Sequence, residues 1–145
     1  MKVSIIYSRF NPEITSGLLE GAKKALKDKG IEERDIEIID VPGAYEIPIV
    51  MEALCAKINR PDAVVLLGCI IKGETAHFEY VSGPVSDSIV RISYENMMPC
   101  GFGVLTTYND EQAEQRSQLP PDSENNKGYE AALVAIEMYE KINNI

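Results

Sequence analysis

Apolar residues along the chain fall into two alternating patterns, short continuous runs and longer segments with helical spacing. The runs cover residues 3–7, 36–41, 63–71 and 101–106 and are typical of strands buried in a parallel sheet. Because crossovers between parallel strands are right-handed, we expect four parallel strands in the order 2-1-3-4 with helices on both faces. The predicted class is α/β, a three-layer flavodoxin-like fold that forms a single domain over residues 1–145.

The helical segments carry their own boundary signals. Asn11 is expected to cap the first helix, with Pro12 in its first turn, and Gly30 is expected to end it. Pro84 is expected to kink or interrupt the third helix. Helices are predicted over residues 12–29, 46–58 and 75–96, from Asn109 in capping-box fashion, and around 131–139. The polar segment 117–126 is interpreted as a connector between the last two helices.

Composition and charge exclude several classes of protein. The 145 residues are 45% hydrophobic and 26% charged, which is enough apolar material for a core. The formal net charge of −9 argues against a protein that tracks nucleic acid or binds an anionic membrane, although local cations could still bind a small anion. No apolar stretch is long enough to span a bilayer, and the chain begins directly before a strand-like run, so we expect a soluble cytoplasmic protein.

The cysteines and the histidine give no metal pattern. Cys55, Cys69 and Cys100 are widely spaced and lie in apolar runs, so each is expected to be a small buried side chain rather than part of a disulfide framework. The chain has one histidine, which excludes a metal site built from several. No metal is therefore expected.

Ligands of parallel α/β sheets bind at the carboxyl ends of the strands, so the loops after the four runs are the candidate site. Phe10 follows the first run, where it would either stack on a planar ligand or pack into the core. Gly43 follows the second run and permits close backbone approach. Glu46 would either bind ligand hydroxyl groups or cap a helix. The loops contain neither a dinucleotide fingerprint nor a Walker motif.

The third loop is the densest in candidate chemistry. Gly73 and the backbone amides of Glu74 and Thr75, at the start of a predicted helix, form a candidate phosphate site. His77, predicted one turn into that helix, is the side chain here that titrates near neutrality, so it is a candidate general acid or base. The alternative is a histidine with a structural role or one that is simply solvated.

Two cations flank the connector after the fourth run. Arg116 precedes it and Lys127 follows it. In an acidic chain they could serve an anionic ligand, or they could be solvated charges at helix ends.

Five segments of the chain resemble the lumazine synthase family. They are SRFN at 8–11, VPGAYEIP at 41–48, GCIIKGETAHFEY at 68–80, FGVLTTYNDEQAEQR at 102–116 and NKGYEAALVAIEM at 126–138. They lie in the family's order and together span nearly the whole chain. The resemblance implies a transferase of riboflavin biosynthesis that uses neither a metal nor an organic cofactor. It would condense 5-amino-6-(D-ribitylamino)uracil with 3,4-dihydroxy-2-butanone 4-phosphate to give 6,7-dimethyl-8-ribityllumazine, phosphate and water.

The same resemblance implies roles for individual residues. His77 would transfer protons and Glu130 would assist it, while Phe102 and Lys127 would come from a neighbouring subunit. Glu74, Thr75 and Arg116 would bind the phosphate. The pyrimidine and its ribityl chain would be held by Phe10, Asn11, Ala44, Tyr45, Glu46, Cys69, Ile70, Ile71, Phe102 and Lys127.

The resemblance further implies a homo-oligomer. We expect the family's additional N-terminal strand to be absent, and the connector with Pro120 and Pro121 is longer than the one associated with sixty-subunit capsids, so a pentamer is favoured. Small residues along the last helix (Ala131, Ala132 and Ala135) favour close packing at the centre of a ring. A riboflavin synthase alpha-chain is a further candidate partner. The alternative function is a non-catalytic flavodoxin-like module that binds a riboflavin-type ligand.

Overall fold

Four parallel strands form one sheet in the computed structural model, which describes residues 1–145. The strands are β1 (Val3–Ser8), β2 (Ile36–Val41), β3 (Ala63–Ile71) and β4 (Cys100–Thr107). Their order is β2-β1-β3-β4 and every neighbouring pair is parallel. The predicted fold class and strand order are confirmed. β3 is central and almost entirely buried, as its continuous apolar run indicates.

Five α-helices cover the two faces of this sheet. They are α1 (Pro12–Asp28), α2 (Ile47–Cys55), α3 (His77–Asn96), α4 (Asp110–Gln115) and α5 (Lys127–Asn143). One core cluster joins α1 and α5 to the sheet, and a second joins α2 and α3 to its opposite face. The result is the expected three layers. None of the helices combines the length and hydropathy that a membrane span requires.

The start of α1 differs from the prediction. Asn11 adopts the left-handed conformation, with φ 59°, and its side chain caps no helix amide. Its Nδ2 instead donates to the carbonyl of Cys69 at 3.0 Å. The first turn of α1 is closed by the Asn11 carbonyl, which accepts from the Thr15 amide. The expected side-chain cap is therefore wrong, whereas the position of Pro12 in the first turn is confirmed.

The end of α1 follows the prediction. Gly30 has φ 81°, a left-handed conformation that glycine adopts without steric cost. Its amide donates to the Lys27 carbonyl, and the Ile31 amide donates to the Leu26 carbonyl. These two bonds are the Schellman arrangement that satisfies the last carbonyls of a helix.

Helices α2 and α3 are shorter than predicted. A 3₁₀ turn over Ala44–Glu46 precedes α2, which ends at Cys55 rather than near residue 58. The first residue of α3 is His77, so the histidine is not one turn into the helix. Pro84 does not interrupt α3. Proline has no amide to donate to the Tyr80 carbonyl, but Pro84 and Tyr80 are both exposed, so this carbonyl is not left buried without a partner.

The last helix packs against its own chain. Ala131, Ala132 and Ala135 are buried in the core shared by α1, α5 and the sheet. Gly101 of β4 lies directly against the Ala131 carbonyl. The expectation that these alanines form the centre of a ring is therefore wrong, because their small size serves close packing of α5 on the sheet and on α1.

Candidate active site in two clefts

One cleft collects residues from all four loops at the carboxyl edge of the sheet. Its volume is about 860 Å³, which lies in the range typical of small-molecule sites. Its lining includes Phe10, Asn11, Ala44, Tyr45, Glu46, Cys69, Ile70, Ile71, Thr75, His77 and Asp110. As expected, the candidate residues among these meet at this edge, and Asp110 joins them without having been predicted. We call this space the first cleft.

Phe10 projects into the first cleft from a fixed backbone. The residue is 70% exposed, so the core-packing interpretation is wrong. The Arg9 amide donates to the Val41 carbonyl at 2.8 Å, and the Phe10 amide donates to the Pro42 carbonyl at 3.1 Å. The β1 loop is thus tied to the β2 loop, while the ring is left free to stack on a planar ligand.

The β2 loop presents a capped 3₁₀ turn to the same cleft. The Glu46 carboxylate accepts from the Gly43 amide at 3.1 Å, which confirms the capping interpretation of this glutamate. Ala44 is buried and Tyr45 is exposed, and both line the cleft. The second carboxylate oxygen of Glu46 makes no hydrogen bond within the chain.

The β3 loop contributes the histidine and a group of free amides. His77 is exposed, and its backbone amide donates to Thr75 Oγ1 at 3.3 Å. The backbone amides of Gly73, Glu74 and Thr75 make no hydrogen bond within the chain. They lie directly before the N-terminus of α3, where the helix dipole favours an anion. Thr75 and Gly73 line the cleft, whereas Glu74 does not.

The cysteines are neutral at physiological pH. Burial raises the pKa of the Cys69 thiol to about 12, and burial likewise raises the pKa of Cys100 to about 12. Burial also raises the pKa of Cys55. The expectation of buried cysteines is confirmed for Cys55 and Cys69, whereas Cys100 is half-buried. No three His, Cys, Asp or Glu side chains lie together in a group that could hold a metal ion.

A second cleft of about 430 Å³ lies between β4 and the first turns of α5. Its lining includes Phe102, Arg116, Lys127 and Glu130. Lys127 Nζ and the Glu130 carboxylate form an ion pair at 2.7 Å, with both side chains about half exposed. Arg116 Nη1 donates to the Gln112 carbonyl at 3.0 Å at the end of α4.

The structure therefore divides the candidate residues into two groups within one chain. Phe10 and His77 lie in the first cleft, while Phe102, Arg116, Lys127 and Glu130 lie in the second. Glu130 is paired with Lys127 rather than with His77. A single chain therefore holds two separate clefts, each with an aromatic ring and its own polar groups.

Sequence reasoning missed four residues of the first cleft. Phe78, Tyr80 and Val81 extend its wall along α3, and Asp110 enters from the start of α4. Phe78 and Val81 are three residues apart and so lie on one helical face, a signal present in the sequence. Asp110 carries no such signal, because an acidic residue in the first turn of a helix is ordinary capping chemistry.

Fold and clefts together define a class, a parallel α/β protein with a cleft of small-molecule size at the carboxyl edge of its sheet. Residues 1–143 match the family model described as 6,7-dimethyl-8-ribityllumazine synthase. The match spans nearly the whole chain, and the chain belongs to this family of transferases in riboflavin biosynthesis. The family implies two small-molecule substrates and a homo-oligomeric assembly.

Proposed function

We propose that the chain condenses 5-amino-6-(D-ribitylamino)uracil with 3,4-dihydroxy-2-butanone 4-phosphate to give 6,7-dimethyl-8-ribityllumazine. The observation that supports this proposal is the division of the candidate residues between two clefts, which we interpret as complementary half-sites. One offers an exposed ring, a histidine and free amides, and the other offers a ring and two cations. The two half-sites suit a planar substrate and a phosphorylated substrate that must meet.

The pyrimidine stacks on Phe10 in the first cleft, and Phe102 of a neighbouring subunit closes the stack. The polar edge of the ring meets the free Oδ1 of Asn11, whose Nδ2 is already bonded to Cys69. Backbone of Ala44–Glu46 and of residues 69–71 holds the rest of the ring and the ribityl chain. Lys127 of the neighbour reaches the ribityl side.

The phosphate of the butanone lies at the N-terminus of α3. The amides of Glu74 and Thr75 donate to it, supported by the helix dipole. Arg116 of the neighbouring subunit supplies a guanidinium that can donate two parallel hydrogen bonds to phosphate oxygens. The bond from Arg116 to the Gln112 carbonyl uses one of its five N–H groups, which leaves the others for this contact.

His77 transfers protons, since the nucleophile is the substrate's own amine. One water leaves when that amine forms an imine with the butanone carbonyl, phosphate leaves by elimination, and a second water leaves on ring closure. Each step needs a proton moved at the reacting atoms, and an exposed imidazole can both accept and donate one. Glu130 of the neighbour assists by holding Lys127 and adding negative charge beside the developing imidazolium. The protein otherwise supplies positioning.

The assembly that joins the half-sites is a cyclic pentamer. Phe102 is 46% exposed on the edge strand β4, beside an apolar groove of about 440 Å³ that also contains Val90, 58% exposed. The connector is closed rather than loose, because Asp122 Oδ1 accepts from the amides of Glu124 and Asn125. Such a connector restricts the contacts between pentamers that a capsid needs. Light scattering on the purified protein should give a particle of five subunits, and one near sixty would contradict the connector argument.

The reaction is tested by mixing the purified chain with both substrates. We expect lumazine absorbance and inorganic phosphate to appear together in equal amounts. A riboflavin synthase alpha-chain would then consume the lumazine. Tight binding of a riboflavin-type ligand without either product would instead favour the non-catalytic binding module.

A further inference from the structure

The connector brings two distant cations together at its base. The Lys127 amide donates to the Arg116 carbonyl at 2.9 Å, although eleven positions separate the two residues. Ser117 and Asn126 form an antiparallel bridge directly above this bond, and the Gln118 amide donates to the Asn125 carbonyl at 3.2 Å. The relative position of Arg116 and Lys127 is therefore set at this junction and not by the tip of the loop.

The side chain of Asn126 occupies the centre of the junction. The residue is 1% exposed, the most deeply buried amide side chain of the chain. Its Oδ1 accepts from the amides of Gly128 at 2.9 Å and Tyr129 at 3.1 Å, which caps α5. Its Nδ2 donates to the carbonyls of Gly17 at 3.0 Å and Gln118 at 3.1 Å. Both donor hydrogens and both acceptor positions are thus used.

Close backbone packing leaves Asn126 little freedom. A Cβ at Gly21 would collide with the Asn126 amide, and one at Gly17 would collide with the Ser117 carbonyl. On the other side, a Cβ at Gly128 would collide with the Leu18 carbonyl. Helix α1, the connector and α5 therefore meet at backbone distance around a single polar side chain.

We propose that Asn126 is a positioning residue for the reaction, an inference that rests on the proposed function. It fixes Arg116 and Lys127 relative to each other and to α1, so that both cations meet the substrates as one preformed unit. Asn126 itself is buried and touches no substrate. A serine in its place keeps an acceptor for the helix amides but removes both N–H donors, so the buried Gly17 carbonyl and the Gln118 carbonyl lose the bonds that hold the junction together.

The test compares Asn126→Ser and Asn126→Ala with Asn96→Ala as the matched control. Asn96 also bonds across elements, through Nδ2 to Glu52 Oε2 and to the Ile92 carbonyl, but it lies at the end of α3. We expect the KM for the butanone phosphate to rise about ten- to a hundredfold in the Asn126 variants, since small misplacements cost that much. The kcat at saturation should change less than about twofold, because His77 is untouched.

A second readout does not depend on turnover. Calorimetric binding of inorganic phosphate should weaken by about tenfold or more in Asn126→Ser and stay unchanged in Asn96→Ala. If the Asn126 variants melt earlier but keep wild-type KM and phosphate affinity, Asn126 has a structural role only and the inference is overturned. If wild-type protein binds phosphate but forms no lumazine, the proposed function fails, and the phosphate affinities still decide the role of Asn126.

Discussion

Asn11 pairs a strained backbone with a specific long-range bond. A left-handed conformation costs a non-glycine residue about 1 kcal/mol, and Asn11 adopts it at φ 59°. The bond from its side chain to the Cys69 carbonyl offsets that cost. The neighbouring Phe10 is consequently held in place although its ring is largely exposed. Because the backbone at Phe10 is already fixed, a ligand that stacks on its ring requires little further ordering of the protein.

His77 is the residue on which the proton-transfer account depends. Replacement by alanine should slow turnover about ten- to a thousandfold, since general acid–base catalysis contributes on this scale. The fold should survive because the side chain is exposed and makes no side-chain hydrogen bond. Steady-state kinetics and thermal melting of the same samples measure both effects, and added imidazole should restore part of the rate. Wild-type turnover in the variant would show that His77 does not transfer protons.

Arg116 is expected to act on one substrate more than on the other. Arg116→Ala should weaken binding of the butanone phosphate by about ten- to a hundredfold, the value of a hydrogen bond to a charged group. Calorimetry with each substrate separates the two affinities. Arg34→Ala is the matched control, because Arg34 is exposed and pairs with Glu32 at the opposite edge of the sheet. An equal loss of affinity for both substrates would show that Arg116 has a structural role and does not bind the phosphate.

The thiol pKa values predict when the cysteines react. Burial raises the pKa of Cys69 and Cys100 from 9.0 to about 12, so their reactive thiolate forms stay scarce as the pH rises from 7 to 9. Iodoacetamide should leave both unmodified over this range in folded protein and modify all three cysteines in denaturant, as mass spectrometry can count. Rapid modification of native Cys69 at pH 8 would contradict the burial argument.

A helix or strand can be predicted from the sequence when the residues that determine it lie within it or next to it. The run at β3 identifies a central strand because both of its faces are buried within the strand's own pattern. The sequence does not mark the start of α3, because Ala76 at its N-cap offers no capping side chain. The role of the Asn11 side chain cannot be predicted from its local sequence, because its partner, the Cys69 carbonyl, is 58 residues away. The alanines of α5 predict close packing of the helix, but they do not indicate which surface the helix packs against.

The contact between β4 and α5 can be tested with two glycines. Gly101→Ala should destabilise the fold by about 2 kcal/mol, because the new Cβ would collide with the Ala131 carbonyl and backbone must move. Gly83→Ala in α3 meets nothing and should instead stabilise by about 0.5 kcal/mol. Urea unfolding at one protein concentration compares them. If Gly101→Ala is as stable as the wild type, α5 can shift relative to β4 at little cost. The second cleft, which lies between these two elements, would then not be rigid.

At the scale of the whole molecule, the separation of the two clefts is the main constraint on function. One chain carries Phe10 and His77 in one cleft and Phe102, Arg116 and Lys127 in another. In the cyclic, heterologous arrangement that we propose, the first cleft of each subunit would meet the second cleft of the next, so every interface would contain one complete site. An isolated chain would then hold both half-sites and be inactive.

Complementation between two impaired variants, assayed at a butanone phosphate concentration below the wild-type KM, tests this shared site most directly. When His77→Ala and Arg116→Ala chains are co-expressed, some interfaces join the intact first cleft of one variant to the intact second cleft of the other. Random mixing in a ring makes about a quarter of the sites native, so we expect about a quarter of wild-type turnover, well above either parent. Activity no higher than the average of the two parents would place His77 and Arg116 of the same chain in one site and contradict the account.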